Sequence, residues 1–396
     1  MISNRELFLR HLGQTSPEPM GLEIVRAKGV FLYDKDGKDY IDLVAGVSVA
    51  NLGHDNQVIT NAVKAQVDKY LHLMVYGEFI EEPQVKLASL LSDLLPKEIE
   101  STYLVNSGSE AIEGAMKLAK RHTGRYEIVS CKNAYHGSTQ GAMSLMSDEY
   151  YTDAFRPLLP GINHIEYNNF DDLKKITEKT ACVIIEPVQG EAGVISPERE
   201  YLQEVRKRCN QTGTLLVFDE IQTGFGRTGE LFAFRKFKVE PDILVTAKAL
   251  GGGMPIGAFS SSKKIMDTLI SNPVLGHITT FGGHPVSAAA AFASLEYITK
   301  NPDIIKSVTA KEKLFKDLLT GLPQVKEIRS NGLLMAVDLG NSENLFKAVD
   351  LLQINGIHTD WFLFDDHSFR ISPPLTITND EIKEACKRIK TALKKI

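Results

Sequence analysis

The stretch Thr214-Leu-Leu-Val-Phe-Asp219 and the later stretch Asp242-Ile-Leu-Val-Thr-Ala-Lys248 decide the fold class. Both are short runs of β-branched and large apolar residues without polar alternation, a pattern typical of parallel strands that are buried on both faces. The first run ends on Asp219, and the second leads into Lys248. Because ligands of open α/β sheets bind at the carboxyl ends of the strands, we expect the two charges to face one crevice.

The two charges allow two interpretations. Taken alone, Asp219 and Lys248 are explained most simply as a salt bridge, or as charges at solvated strand ends. A ligand could also satisfy both, since each would be costly to bury unpaired. Such a ligand needs an acceptor for the amine and a cationic N–H for the carboxylate. Pyridoxal phosphate has both, because lysine attaches to it covalently and an acidic residue pairs with its pyridinium nitrogen.

Strand-like and helical segments alternate between about residues 56 and 285, which predicts an α/β domain with a mostly parallel sheet of seven strands. The predicted strands are 102–105, 127–131, 163–167, 181–186, 214–219, 242–246 and 256–260, and the predicted helices are 57–72, 83–95, 109–122, 170–178, 198–212 and 285–299.

The rest of the chain predicts a smaller α+β domain. Residues 1–55 form an N-terminal segment with a hairpin signal at Asp34-Lys-Asp-Gly37, and we assign this segment to the small domain. Residues 56–300 form the large domain, and residues 301–396 form the C-terminal part of the small domain. The strands expected in this last part are 332–339, 357–364 and 368–372.

Composition limits the class of protein. The chain has 396 residues, a net charge of −5 and four cysteines that are far apart. Without a long basic run, we expect neither nucleic acid nor a membrane surface as a partner. The cysteines lack metal-site or disulfide spacing, and no apolar stretch reaches the length of a membrane span. We therefore expect a cytoplasmic protein without a metal site.

The segment Asn106-Ser-Gly-Ser-Glu110 follows a predicted strand and precedes an amphipathic helix. Ser107 and Glu110 have capping-box spacing, so a well-capped helix explains the segment when it is taken alone. A strand, a turn with Gly108 and a helix N-terminus also form an anion site from free N–H groups. Beside Asp219 and Lys248, phosphate binding is the better explanation.

Four further segments carry candidate side chains, each with an ordinary structural alternative. Tyr135, in Ala134-Tyr-His-Gly-Ser138, could offer a flat face to a heterocycle or be a core aromatic. Glu186 and Glu191 could suggest paired acid and base of the glycosidase kind, or could lie in a solvated turn. Arg370 could anchor a salt bridge or hold a substrate carboxylate with two hydrogen bonds. The adjacent hydroxyls of Thr279 and Thr280 suit an anion but are not specific.

Gly224-Phe-Gly-Arg-Thr-Gly229 matches the glycine spacing of a dinucleotide site. That site requires the glycines to open a helix directly after a strand, and here Asp219 to Thr223 intervene. We therefore reject a nicotinamide-dependent dehydrogenase. A protein that keeps the fold without catalysis remains a third possibility, because fold does not determine activity.

Seven motifs occur in a familiar order: SGSEA, AYHG, EPVQGEAGV, VFDEIQTGFGRTG, AKALGGGMPIGA, TTFGG and RISPP. In these motifs the chain resembles the class III (ω-amino) aminotransferases that depend on pyridoxal phosphate, which have PLP fold type I. Acetylornithine and ornithine aminotransferases are the members that it resembles most. The resemblance extends from about residue 20 to the C-terminus.

The resemblance implies roles for the cofactor-binding residues. Lys248 corresponds to the lysine that forms the Schiff base, and Asp219 to the partner of the ring nitrogen. Other residues correspond to family positions around the ring and the phosphate: Ser107, Gly108 and Ser109 at the phosphate, Tyr135 against the ring, Glu186 beside it, and Gln222 at the ring hydroxyl. Thr280 corresponds to a threonine that reaches the phosphate of the neighbouring subunit, which implies a homodimer with shared active sites.

The resemblance also implies substrate contacts. Arg370 corresponds to the clamp for the α-carboxylate of glutamate, and Glu191 to the carboxylate that pairs with this arginine when an ω-amine is bound. We place Thr279 and Ser138 with the substrate-binding residues. Members specific for acetylornithine or ornithine have arginine where this chain has Ser138, which cannot form a charge-assisted fork. The segment Val75–Glu82 also differs from the shorter aromatic segment of those members.

The activity expected from the resemblance is amino transfer from an acetylornithine-like or ornithine-like donor to 2-oxoglutarate by a ping-pong mechanism. The alternatives are an aminotransferase for another amine, such as 4-aminobutyrate, and an aminomutase of the glutamate-semialdehyde type. The pair of Arg370 and Glu191 argues against the mutase.

Overall fold

The structure, a computed structural model, describes residues 2–75, 77–198 and 200–396. Tyr76, within the divergent segment at 75–82, and Arg199, within the predicted helix 198–212, lie outside the described residues. The strands are β1 Ile24–Lys28, β2 Phe31–Asp34, β3 Asp39–Asp42, β4 Ser101–Val105, β5 Glu127–Cys131, β6 Ile162–Ile165, β7 Thr180–Ile185, β8 Leu215–Asp219, β9 Ile243–Thr246, β10 Gly257–Ser261, β11 Glu327–Ser330, β12 Met335–Asp338, β13 Ile357–His358, β14 Trp361–Phe362 and β15 Asp365–Ile371.

The α-helices range from 4 to 16 residues in length. They are α1 Asn4–His11, α2 Ala45–Ser48, α3 Gln57–Lys69, α4 Glu82–Leu94, α5 Gly108–Thr123, α6 Gln140–Met143, α7 Glu149–Thr152, α8 Tyr201–Thr212, α9 Ala233–Phe237, α10 Lys263–Met266, α11 Pro285–Lys300, α12 Asp303–Lys306, α13 Val308–Leu319, α14 Ser342–Ile354 and α15 Asn379–Leu393.

A seven-stranded sheet forms the centre of the fold, with strand order β4-β10-β9-β8-β7-β5-β6. Neighbouring strands from β9 to β6 are parallel, and β10 is antiparallel to both β4 and β9. The mostly parallel α/β sheet predicted from the sequence is therefore confirmed.

Both faces of this sheet are buried, as the uninterrupted apolar runs predicted. In β8, Leu216 and Phe218 belong to one hydrophobic cluster, while Leu215 and Val217 belong to another. Because successive side chains of a strand point to opposite faces, the two clusters cover the two sides of the sheet. Helix α5 packs on one side, and α11 packs against α3 and α4.

Two smaller four-stranded sheets complete the fold. One has the order β1-β2-β3-β13, so strands from the first 42 residues are hydrogen-bonded to Ile357–His358 near the other end. The other has the order β11-β12-β15-β14 and carries Arg370. The grouping of residues 1–55 with residues 301–396 in one domain stays a prediction, and so do the boundaries at residues 55 and 300.

Three details differ from the sequence-based expectation. The segment predicted as a helix at 170–178 is a 3₁₀ helix, Phe170–Lys175. The strand predicted at 357–364 is two strands of two residues each, β13 and β14. Strand β11 was not predicted at all. These elements are too short to show a hydrophobic period, which explains the differences.

The glycine-rich segment Gly224–Gly229 forms turns and opens no helix. Arg227 within it is fully buried, and its guanidinium donates to the backbone oxygens of Leu333 at 2.9 Å and Pro373 at 2.6 Å. The segment therefore joins the central sheet to the C-terminal part of the chain.

None of the helices in the described ranges combines the length and the apolar character that crossing a bilayer requires.

Candidate active site

A cavity of about 580 Å³ lies where several strands of the central sheet end. It brings together most of the residues that the sequence singled out for a cofactor: Ser107, Gly108, Ser109, Tyr135, Glu186, Asp219, Gln222 and Lys248. Ser138 lines the same cavity. Residues from five distant stretches of sequence meet there because parallel strands place their carboxyl ends along one edge.

Lys248 directly follows β9 and starts a short 3₁₀ turn. Its φ angle of 47° is in the left-handed region, which non-glycine residues rarely adopt. Burial lowers the pKa of Lys248 below the usual lysine value, although nearby carboxylates oppose this effect. A lysine with a lowered pKa is more often neutral and nucleophilic, as covalent attachment to a carbonyl requires.

Asp219 is held by two contacts at the end of β8. Its Oδ2 lies 2.7 Å from Nδ1 of His136, and its Oδ1 accepts from the backbone N–H of Ile221 at 2.9 Å. Burial would lower the pKa of His136, but the hydrogen bond and the charge of Asp219 raise it overall. The short contact with His136 and the bond from Ile221 therefore fix the Asp219 carboxylate beside the cavity.

His136 was missed by sequence reasoning, which stopped at its neighbour Tyr135. The available signal was a histidine at the carboxyl end of a buried strand, in a segment already suspected of ligand binding. The signal is weak because 83 positions separate His136 from Asp219.

Glu186 ties the Tyr135 segment to the end of β7. Its Oε1 accepts from the backbone N–H of Tyr135 at 3.2 Å, and its Oε2 accepts from that of Gly190 at 2.9 Å. Burial raises the pKa of Glu186 to about 7. Because both carboxylate oxygens of Glu186 accept from backbone N–H groups, Glu186 holds the Tyr135 segment in place on the cavity wall.

The N-terminus of α5 opens toward the cavity. Ser107 caps this helix, with its Oγ accepting from the N–H of Glu110 at 3.2 Å. The Glu110 carboxylate accepts from the backbone and side chain of Asn106 at 2.9 and 2.8 Å, so it forms a variant of the expected capping box. The cap and the anion site are compatible, because Ser107 and Gly108 also line the cavity.

Two glycines keep this part of the cavity open. A Cβ on Gly108 would lie 2.7 Å from Cδ1 of Ile221, and one on Gly137 would lie 2.3 Å from Oγ of Ser109. Gly137 also has a φ of +128°, which disfavours any other residue. The backbone can therefore closely approach a phosphate group.

Gln222 supplies an observation that points to a ligand. Its Nε2 is buried, and it has no hydrogen-bond partner within the described ranges 2–75, 77–198 and 200–396. An unsatisfied buried amide is costly, so an acceptor is expected opposite it. The ring hydroxyl of pyridoxal phosphate is such an acceptor. Together with Lys248, Asp219 and the α5 N-terminus, the residues present fit this cofactor.

Arg370 and Glu191 form a buried bidentate pair outside the cavity lining. Nη1 of Arg370 lies 3.1 Å from Oε1 of Glu191, and Nη2 lies 3.0 Å from Oε2. Only 2% of the arginine side chain and 9% of the glutamate side chain are exposed. Burial would raise the pKa of Glu191, but the charge of Arg370 lowers it, so the glutamate is ionised.

Ser138 and the two threonines have different surroundings. Ser138 Oγ lies 2.9 Å from the hydroxyl of Tyr135. Thr279 Oγ1 accepts from Nδ2 of Asn106 at 3.0 Å, behind the start of α5. Thr280 is exposed, and it is not among the described residues that line the cavity. The structure thus brings Ser138 to the cavity of its own chain but not Thr280.

Comparisons with known proteins identify the family. The family model described as aminotransferase class-III matches residues 13–393. The acetylornithine aminotransferase of Methanopyrus kandleri is 35% identical over 393 residues, which are 98% of each chain. That of Clostridium acetobutylicum is 36% identical over 91% of this chain and 93% of its own.

Solved structures extend the likeness. The ornithine aminotransferase of Toxoplasma gondii superposes with a TM-score of 0.91 at 29% identity, covering 98% of this chain and 93% of its own. An (S)-enantioselective ω-transaminase of Thermomicrobium roseum gives a TM-score of 0.92 at 27% identity, covering 98% and 97%. The chain therefore belongs to the class III aminotransferases, and it is a transaminase that depends on pyridoxal phosphate.

Proposed function

We propose that the protein moves an amino group from an ω-amino donor of the acetylornithine or ornithine type to 2-oxoglutarate in a ping-pong mechanism. The observation that carries this proposal is the pair of Arg370 and Glu191. Two relatives named acetylornithine aminotransferase, at 35% and 36% identity, support the choice of donor.

The pair can serve both halves of such a reaction. While Glu191 neutralises Arg370, this side of the site accepts a donor that has no carboxylate beside its reacting amine. When Glu191 moves away, the two N–H groups that it occupied can hold the α-carboxylate of glutamate or 2-oxoglutarate in the same geometry. One arginine thus explains how a single site binds two unlike substrates.

The residues at the cavity divide the remaining work. When bound, pyridoxal phosphate withdraws electrons from the substrate carbon that loses a proton. Asp219, held by His136, would pair with the protonated ring nitrogen of the bound cofactor. Nζ of Lys248, once released, would take the proton from the substrate carbon as general base and deliver it as general acid to the cofactor carbon. The N-terminus of α5 would hold the phosphate group.

We further propose that the active enzyme is a homodimer in the cytoplasm that acts in amino-acid metabolism. Exposed Thr280 supports a site shared between subunits, and the four buried free cysteines are compatible with a reducing compartment.

A panel of amino donors tests the proposed reaction. The purified enzyme is given 2-oxoglutarate with acetylornithine, ornithine, 4-aminobutyrate or aliphatic diamines, and the glutamate formed is measured. We expect acetylornithine or ornithine to give the highest kcat/KM. The absence of glutamate with every donor would overturn the proposal. Glutamate formation from free 2-oxoglutarate would contradict the aminomutase alternative.

The attachment residue is tested separately. Borohydride reduction of the loaded enzyme, followed by peptide mass mapping, should locate the pyridoxyl group on Lys248. Lys248→Ala should retain cofactor weakly and lose turnover. A pyridoxyl group on any other lysine would contradict the assignment.

A second candidate, transfer from another amine, is favoured by the surroundings of Ser138. Its hydroxyl is bonded to Tyr135, and Lys248 is the sole lysine or arginine among the described residues that line the cavity. A distal carboxylate therefore has no charged partner there. If diamines exceed acetylornithine in the panel, this second candidate replaces the first.

A further inference from the structure

The guanidinium of Arg370 has two carboxylate partners, not one. Glu191 occupies its Nη1 and Nη2, whereas Asp360 accepts from Nε through Oδ1 at 2.7 Å. Nη2 also donates to the backbone oxygen of Trp361 at 3.2 Å. Glu191 thus occupies the edge with two terminal nitrogens, and Asp360 holds the opposite side.

The two carboxylates sit on different supports. Asp360 is fixed to the strand of Arg370, because its backbone oxygen accepts from the Arg370 N–H at 2.9 Å. The adjacent Thr359 hydroxyl donates to the Arg370 backbone oxygen at 2.6 Å. Glu191 lies in the turn that follows β7, where its Oε2 accepts from the N–H of Leu363 at 3.3 Å and its backbone oxygen accepts from that of Phe364 at 3.0 Å. Asp360 is therefore held beside Arg370 by backbone hydrogen bonds within one hairpin, whereas Glu191 reaches the guanidinium from another element and only through its side chain, which can leave by rotating.

Among the described residues, the hydrogen-bond acceptors of the Arg370 side chain that remain when Glu191 leaves are Asp360 and the backbone oxygen of Trp361. The ring of Phe362 packs on the guanidinium face, with its centroid 4.4 Å from Cζ of Arg370. This contact does not prevent the guanidinium from turning within its own plane. Once Glu191 departs, an unanchored guanidinium would follow it or turn. A substrate carboxylate would then meet a misaligned fork, and bidentate binding needs alignment.

We infer that Asp360 is a positioning residue that keeps the Nη1–Nη2 edge of Arg370 aimed at the substrate carboxylate when Glu191 leaves. The inference rests on the proposed use of 2-oxoglutarate and deepens it. Asp360 would determine how well the enzyme binds the dicarboxylate acceptor, and it would have little influence on the ω-amino donor.

Three variants test this inference. Asp360→Ala removes the acceptor for Nε, Asp360→Asn keeps an oxygen there without the charge, and Asp366→Ala is a control on the same hairpin. Among the described residues, Asp366 forms an ion pair with His367 alone, at 3.1 Å, and it is 66% exposed. For each loaded enzyme, KM is measured for donor and acceptor, and the Kd of glutarate, an unreactive dicarboxylate, is measured by calorimetry.

We expect Asp360→Ala to raise the acceptor KM and the glutarate Kd about tenfold, with the donor KM within about twofold of wild type. Asp360→Asn should restore most of the loss, and Asp366→Ala should match wild type. Thermal unfolding and bound-cofactor absorbance verify that each variant is folded and loaded.

The outcomes separate the two proposals. If wild type neither uses 2-oxoglutarate nor binds glutarate, the acceptor proposal fails, and this inference fails with it. If wild type does both and Asp360→Ala leaves both constants unchanged, only the inference is overturned. It is also overturned if donor and acceptor constants rise equally, or if Asp360→Asn behaves like Asp360→Ala.

Discussion

Glu191 binds Arg370 with both carboxylate oxygens, at 3.1 and 3.0 Å, across 179 positions of sequence. The geometry is that of a carboxylic acid substrate on an arginine fork, so Glu191 occupies the place of a ligand. Any carboxylate substrate that uses Arg370 must displace it. The strength of this internal pair therefore sets the balance between carboxylate and non-carboxylate substrates.

Glu191→Gln should weaken the pair while keeping its shape. Without the competing charge, Arg370 should bind 2-oxoglutarate more tightly, and the acceptor KM should fall by about threefold to tenfold. In this variant Arg370 should also bind the α-carboxylate of ornithine. The α-amine of ornithine, and not its ω-amine, would then react. Product analysis by mass spectrometry distinguishes the resulting 2-oxo acid from the aldehyde.

Glu327→Gln provides the matched control for this change. Glu327 pairs with Arg329 at 3.1 Å but is 59% exposed, so its loss should alter neither KM nor product. An unchanged product ratio in Glu191→Gln would show that the pair does not select the reacting amine.

Gly137→Ala should reduce affinity for the cofactor at least tenfold. The new Cβ would overlap Ser109 at the phosphate side of the cavity, and the backbone would be strained at φ +128°. Cofactor affinity is measured by titrating the apoenzyme and following absorbance. Gly124→Ala is the control for a glycine with positive φ away from the cavity, because it has a φ of +69° and no described atom within 4 Å of the added Cβ. If both variants lose cofactor equally, a general loss of stability and not the change at the cavity is responsible.

Ser138→Arg should improve donors that have a distal carboxylate, such as acetylornithine, by lowering their KM about tenfold. The introduced guanidinium would face the cavity that Ser138 lines. Diamine donors should become poorer because two cations repel. Ser138→Ala separates this gain from the loss of the hydroxyl contact with Tyr135, and it should not improve acetylornithine. Steady-state kinetics with both donor types decides between the outcomes.

The sequence predicted the sheet well and the site contacts only in part. Strand β8 and helix α5 were predicted to within one residue, because buried apolar runs and helix caps are local signals. The contact of His136 with Asp219 and that of Asp360 with Arg370 have no such signal. The first joins residues 83 positions apart, and the second depends on how two short strands pair within one hairpin. No residue pattern states which polar groups meet in either case.

Backbone conformation at the site was also beyond sequence reasoning. Lys248 adopts a φ of 47°, although lysine has no preference for this region. The surrounding packing imposes this geometry, since the strand before it and the turn after it are buried. A strained residue at a site is a property of the whole fold, and local propensity does not predict it.

Glu220 should make stability depend on pH. Burial raises its pKa to about 7, although the N–H groups of Ala233 and Phe234 donate to it at 2.6 and 2.7 Å. Between about pH 4.5 and 7 the folded state therefore binds more protons at Glu220 than the unfolded state does. Its contribution to the free energy of unfolding falls by about 3 kcal/mol as the pH rises through this window.

Comparison with Glu220→Gln isolates this effect. The difference in unfolding temperature between wild type and variant should move in favour of the variant from about pH 5 to about pH 8, because only the wild type bears the cost of burying the ionised carboxylate. A difference that stays constant, or that moves in favour of the wild type as the pH rises, would contradict the raised pKa.

Thr280 tests whether two subunits share each active site. It is exposed, and the nearby apolar side chains of Ile278 and Phe281 are 51% and 54% exposed. If Thr280 serves the phosphate of the partner subunit, Thr280→Glu should repel that phosphate. Homodimers of Thr280→Glu and of Lys248→Ala should then both be inactive.

A mixed dimer of these two variants gives opposite results for shared and separate sites. With shared sites, one site combines the intact Lys248 of the Thr280→Glu subunit with the intact Thr280 of its partner, and about half of the wild-type activity returns. With separate sites, each subunit keeps its own defect and no activity returns. Coexpression with two affinity tags, tandem purification and light scattering yield the mixed dimer and verify its mass. An inactive mixed dimer with normal mass would therefore place Thr280 outside the partner's site.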